Sequence, residues 1–215
     1  MRLYDYIASA NCLKVRVLLG LLGRDVERVA IDIFAGDTLT PQFAALNPSR
    51  ETPVLEVDGE GVLVQSNAIL WYLAEGTQYL PDEPWERAQV LRWLMFEQEY
   101  VIPGIAAPRF WRMTDRVSAE LVRARRELGQ TALARIEDAL GDRPFLTGDL
   151  SIADIAVYAY THLARDAGLA LERYPRITGW IRRLEATPRF VNDLLPYPSN
   201  ASRGAGRSIY DPSEQ

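Results

Sequence analysis

Residues 47–75 read NPSRETPVLEVDGEGVLVQSNAILWYLAE. An Asn-Pro loop leads into Thr52-Pro53. Val54 to Val57 is a short apolar strand, Asp58-Gly59 is a hairpin turn, and Val62 to Val64 is the returning strand. Gln65-Ser66 then opens an amphipathic helix that runs to Glu75. Two features of this stretch carry chemistry. A proline at the start of a strand removes no central ladder bond and leaves the N–H and C=O of Thr52 to an incoming peptide. Ser66 is a good cap or first-turn residue, and free N–H groups at a helix start attract a carboxylate. Each also has a plainer reading. Most X-Pro bonds are trans, so Pro53 taken alone reads as a simple strand-entry residue, and a serine at a helix start is most often only a cap.

Working outward, Leu3 to Tyr6 alternates as a strand. Asn11 to Leu22 reads as a helix ended near Gly23, apolar on most sides and therefore buried on more than one face. Glu27 to Ile31 is a second strand. Thr40 to Leu46 is a short helix with Thr40 as cap and Pro41 in the first position. The order βαβ, α, ββα defines a thioredoxin-like unit over residues 1–76. Residues 77–84, rich in turn formers, read as a linker. From Trp85 onward every periodic segment is helical: Trp85 to Pro103, kinked or broken at Pro103 and Pro108; Ser118 to Leu140; Ser151 to Ala167, apolar nearly all round; and Pro175 to Ala186. The fold class is α+β, a thioredoxin-like N-terminal domain followed by an all-α bundle over 85–198. Residues 199–215, rich in Gly and Ser, read as a loose extended tail.

Composition narrows the function. A net charge of -5 leaves no electrostatic footprint for nucleic acid or an anionic membrane. No apolar run is long enough to span a bilayer, and the N-terminus patterns as a strand rather than a signal peptide. A single cysteine, Cys12, excludes an internal disulfide or a Cys-rich metal site, and a single histidine, His162, excludes a His-pair site, so no metal is expected. Lys14 is the sole lysine among the basic residues, an Arg bias that fits a GC-rich, bacterial coding sequence.

The loop Ser9-Ala10-Asn11-Cys12 lies between the first strand and the first helix. A Ser9 hydroxyl there can donate to a thiolate above the helix N-terminus, or it can merely cap the helix. Cys12 is either a rival nucleophile or a packed core residue. Ser151 and Asp154 form a capping-box pattern whose role is structural. Tyr4 and Tyr6 share a strand face. Tyr100, Phe110 and Trp111 flank the proline-interrupted helix and either line an apolar pocket or belong to the core. His162 reads as a core residue.

Taken together, TPVL…QSNAILWYLAE, the segment ASANCLKVRVLL and the downstream FLTGDLSIADIAVYAY resemble cytosolic glutathione transferases, bacterial serine-type members in particular, over nearly the whole chain to about Leu195. The resemblance implies a cytoplasmic, homodimeric detoxification enzyme with glutathione as co-substrate. Thr52 and Pro53 match the residue before a cis-proline that binds the cysteinyl backbone of glutathione. Gln65 and Ser66 match the pair that holds its γ-glutamyl end. Ser9 falls at the catalytic serine, and Asn11 at a polar position near the thiol. Glu51 departs from the pattern, since Lys or Gln often stands there; its backbone, or Arg50, is left to serve the glycyl carboxylate. The implied reaction is attack of the glutathione thiolate on an electrophilic, mostly apolar small molecule held against Tyr100, Phe110 and Trp111. Two alternatives accompany it: a glutathione-dependent thiol-disulfide oxidoreductase using Cys12, and a non-catalytic scaffold with the same fold.

Overall fold

Ser9 and Gly23 set the limits of the first helix. In the computed structural model, which describes residues 1–211, the Ser9 hydroxyl accepts the Cys12 amide at 3.3 Å and caps α1 (Ala10–Leu22). Gly23 ends it with φ 61°, a left-handed conformation that glycine adopts without a Cβ clash. Nearly every residue of α1 is buried, Lys14 and Arg16 included. Around it run β1 (Arg2–Asp5), β2 (Glu27–Ala30), α2 (Pro41–Leu46), β3 (Val54–Val57), β4 (Gly61–Val64) and α3 (Ser66–Ala74). The sheet order is β2-β1-β3-β4. β1 pairs parallel with β2 and antiparallel with β3, with Leu3 opposite Leu55. β3 and β4 form the expected hairpin, with Gly59 at φ 79° in its turn. Thr40 caps α2 by accepting the Phe43 amide, and Pro41 opens that helix as its composition predicts. The thioredoxin-like reading therefore holds element by element.

The chain divides into two compact units, the first comprising Met1–Leu70 with Val191 onward and the second Trp71–Phe190. Residues 199–215 were expected to be a loose tail. Those up to Asp211 instead pack on the first unit together with residues 191–198, while 212–215 lie outside the described residues. Asp193 accepts Arg16 Nε at 2.6 Å, and Arg16 also donates to the buried Asp5 at 2.6 Å. Asn200 donates to Asp32 at 2.9 Å, and the Arg207 amide to the Phe34 carbonyl at 2.7 Å. The Phe34 ring meets Tyr197 edge-on. Gly and Ser content hid this packing, because backbone bonds and the Tyr197 and Tyr210 rings against Phe34, rather than an apolar periodicity, hold the segment.

In the second unit, α4 (Pro84–Phe96) does not break at Pro103. It widens into a π-helical segment (Glu97–Ala106) and continues as α5 (Ala107–Thr114), where Pro108 takes a first-turn position. The wider ladder passes the missing proline N–H without ending the helix. α6 (Ala119–Leu140) begins at the Ser118 cap, which accepts the Leu121 amide. It crosses the π-helical segment at Gly104 and Gly129, where a methyl group on either would overlap the other's backbone. α7 (Ile152–Thr161) is the buried central helix, ending several residues earlier than its apolar run, in successive turns. α8 (Pro175–Glu185) follows. The capping box on α7 is present. Asp154 accepts the Ser151 amide at 3.0 Å and hydroxyl at 3.2 Å, and also the Leu146 amide and the Trp180 indole N–H, both at 2.9 Å. No helix among the described residues is long and apolar enough to cross a membrane.

Candidate active site

Three stretches of the first unit meet at the N-terminus of α1. The first is the loop before it, where Ser9 is half-buried and its amide bonds the Tyr6 carbonyl at 2.9 Å. A hydroxyl has two lone pairs and one proton. Accepting the Cys12 amide uses a lone pair and not the proton, which faces the Cys12 thiol as its neighbouring acceptor.

The second is the loop entering β3. The Thr52-Pro53 bond is cis, as the family resemblance implied and against the residue-level expectation of trans. The buried Asn47 shapes this loop. Its Nδ2 donates to the Glu51 carbonyl at 2.9 Å, and its Oδ1 accepts the Ser49 amide at 3.1 Å. Arg50 takes φ 57°, which a non-glycine residue adopts at some cost. The Glu51 carbonyl is thereby engaged, while its side chain is exposed. The Thr52 side chain hydrogen-bonds the Cys12 thiol, which ties this loop to α1.

The third is the start of α3. Gln65 stands just before the helix with φ 71°, again left-handed, and its side chain is exposed. Ser66 is buried. Its hydroxyl lies 3.4 Å from Asn11 Oδ1 and accepts the Lys14 ammonium at 3.2 Å; Lys14 also donates to Asn67 Oδ1 at 3.2 Å. Ser9, Cys12 and Thr52 are thus joined by hydrogen bonds, and Asn11, Ser66 and Lys14 form a second set beside them. Lys14 and Asn47 are the members that reasoning from motifs passed over. Lys14 carried a signal, being a charged residue on a helix with no exposed face.

Cys12 belongs to the support of this cluster. It is fully buried, and its Sγ accepts the Tyr6 amide at 3.4 Å. Burial, with the nearby Asp5 charge, pushes its thiol up to about 11, against the pull of Thr52, Tyr6 and Ser9. A neutral, inaccessible thiol is a poor nucleophile.

The aromatic candidates lie in the second unit. Tyr100 stacks on Phe96 with centroids 5.0 Å apart and has Arg135 over its ring at 4.3 Å. Phe110 has Arg116 at 5.7 Å, and both Phe110 and Trp111 are half-buried. His162 stacks on Tyr158 at 4.3 Å, and burial lowers its pKa. Tyr4 donates to Glu56 at 3.1 Å, and Tyr6 packs edge-on against Phe34.

Residues 1–75 match the glutathione S-transferase N-terminal domain and residues 119–183 the glutathione S-transferase C-terminal domain. Glutathione S-transferase 3 of Zea mays is 31% identical over 94% of this chain and 98% of its own length. Maleylacetoacetate isomerase of Pseudomonas aeruginosa is 28% identical over 88% and 93%. A crystal structure of a glutathione S-transferase from Pseudomonas fluorescens superposes with a TM-score of 0.86 at 43% identity, covering 90% of this chain and 98% of that one. The chain belongs to the glutathione S-transferase family. Its enzyme class is that of a glutathione transferase.

Proposed function

We propose that the first unit binds reduced glutathione around the N-terminus of α1 and that Ser9 donates a hydrogen bond to its sulfur. The observation that carries this reading is the Ser9 hydroxyl at the N-terminus of α1, which accepts the Cys12 amide with a lone pair and can turn its proton from the neutral Cys12 thiol to a stronger acceptor, a ligand thiolate. The α1 dipole adds to the stabilisation. Thr52, before its cis-proline, pairs with the cysteinyl backbone. Gln65 and Ser66, with Asn11 behind them, hold the γ-glutamyl end. Arg50 serves the glycyl carboxylate, because a carboxylate needs a donor or a cation and the Glu51 side chain beside it would repel it. The thiolate attacks an electrophilic carbon of a mostly apolar small molecule. A C–S bond forms while the leaving group departs or the adjacent carbon takes a proton. Tyr100, Phe110 and Trp111 are assigned to that second substrate. The name of the P. aeruginosa relative puts maleylacetoacetate among the substrates to try.

A cytoplasmic homodimer is part of the same proposal. Trp85, Leu91 and Met95 lie along one side of α4 and are 75%, 42% and 59% exposed, a patch suited to a second copy. Sedimentation of wild type against Trp85→Glu/Met95→Glu tests it, with a monomeric variant expected. The burial of Cys12 weighs against the oxidoreductase that relies on its thiol.

The deciding experiment is calorimetric titration with glutathione across pH for wild type and Ser9→Ala. A bound thiol whose pKa falls towards neutrality in wild type and rises in the variant supports the site. No binding at millimolar glutathione rejects it and favours the scaffold reading.

A further inference from the structure

We infer that Lys14 is a positioning residue that makes the start of α3 selective for the α-carboxylate of the γ-glutamyl group; this rests on the glutathione reading above. Lysine is rarely fully buried, yet Lys14 is completely so, and unlike Arg16, the other buried cation of this helix, it is held by neutral oxygens rather than by Asp5 and Asp193. Its ammonium lies 3.2 Å from Ser66 Oγ and 3.2 Å from Asn67 Oδ1, so it is fixed beneath the first turn of α3. Two consequences follow. The Ser66 oxygen accepts from a cation, which turns the hydroxyl proton outward, towards Asn11 Oδ1 or an arriving carboxylate. A full positive charge also sits one hydroxyl away from that carboxylate, in surroundings of low dielectric, where it adds to the partial charge of the helix end. Lys14 does not touch the ligand and acts through Ser66. It therefore governs affinity and selectivity rather than the sulfur chemistry at Ser9.

The test compares glutathione with the analogue in which 4-aminobutyrate replaces the γ-glutamyl residue, which lacks only that carboxylate. Calorimetry should show wild type preferring glutathione by about tenfold or more, the size of one charge-assisted contact. Lys14→Met should lose most of the preference while binding the analogue as wild type does, and Lys14→Arg should restore it. The pKa of the bound thiol should stay where wild type sets it. An unchanged preference in Lys14→Met overturns the inference and leaves the glutathione reading standing. Wild type that binds neither ligand overturns that reading instead. A second measurement needs no variant. Lys14 is the only lysine, so protein labelled with ¹³Cε-lysine gives one lysine side-chain NMR signal. Glutathione should move that signal and the analogue should move it much less; equal shifts overturn the inference.

Discussion

The Ser9 hydroxyl accepts the Cys12 backbone amide at 3.3 Å, so this side chain caps α1, and in the proposed site it also turns its proton to the ligand sulfur. Replacing Ser9 with Ala should separate these roles. The loss of a cap costs about 1 kcal/mol of stability. Turnover should fall roughly tenfold for each unit by which the bound thiol pKa rises, and glutathione affinity should change less than kcat. Steady-state kinetics with a chromogenic electrophile, alongside urea unfolding, measures both effects. Equal kcat in the two proteins would sink the assignment.

Cys12 should react slowly with a disulfide reagent such as 5,5′-dithiobis(2-nitrobenzoate) at pH 8. Its thiol is buried and held near 11, so little thiolate exists and none is accessible. Unfolding in urea should bring fast, complete labelling. Cys12→Ala should retain transferase turnover, because the thiol takes no part in the proposed chemistry.

Asp154 gives a pH signature. Burial raises its carboxyl to about 6 from an ordinary 3.8. A raised folded-state pKa means that the folded protein binds the extra proton, so this contribution is fully present below about 3.8 and is lost as pH rises through about 6. The stability gap between wild type and Asp154→Asn should accordingly be wider at pH 4.5 than at pH 7.5. At either pH the variant replaces an acceptor of four hydrogen bonds with an amide that mismatches at least one donor, costing about 1–3 kcal/mol. A gap that narrows on acidification would refute the linkage.

The segment from Val191 should loosen in Asp193→Ala, which removes the acceptor of Arg16 Nε. Limited trypsin digestion should then cut at the exposed Arg203 and Arg207 several times faster than in wild type. Cleavage within α7 should be unchanged.

At the junction of α6 and the π-helical segment, Gly129→Ala should be among the most destabilising single changes, because the added methyl meets the Gly104 backbone, which cannot turn away as the neighbouring Leu169 side chain can. A loss of about 2–3 kcal/mol is the scale of such overpacking, readable in a urea melt.

The legible parts of this chain were those written in local signals. Gly23 ended α1, Thr40-Pro41 opened α2, Asp58-Gly59 turned the hairpin, and Ser151 with Asp154 capped α7, each within a residue or two of expectation. The less legible parts depended on partners distant in sequence. Pro103 read as a break because proline lacks an N–H, but the ladder widened and the helix continued. The apolar run to Ala167 read as helix, yet α7 stops at Thr161, since apolar content marks burial and not backbone conformation. The tail, residues 199–215, read as loose because Asn200 and Arg207 find their partners more than a hundred residues upstream.

Local signals in the chain were enough for the order of elements and for the thioredoxin-like and helical character of the two parts, and they singled out Ser9, Thr52-Pro53 and Gln65-Ser66 as the residues of the proposed site. Caps, turns and periodicity act over a few residues, so they survive in one dimension. The cis Thr52-Pro53 bond was legible through the family resemblance and not through the residues themselves. Packing between distant segments decided that Cys12 is sealed in the core and that Lys14 reaches Ser66 across 52 positions of the chain. Those outcomes depend on which groups burial removes from water and which charges it leaves side by side, and both are fixed only when distant segments pack together.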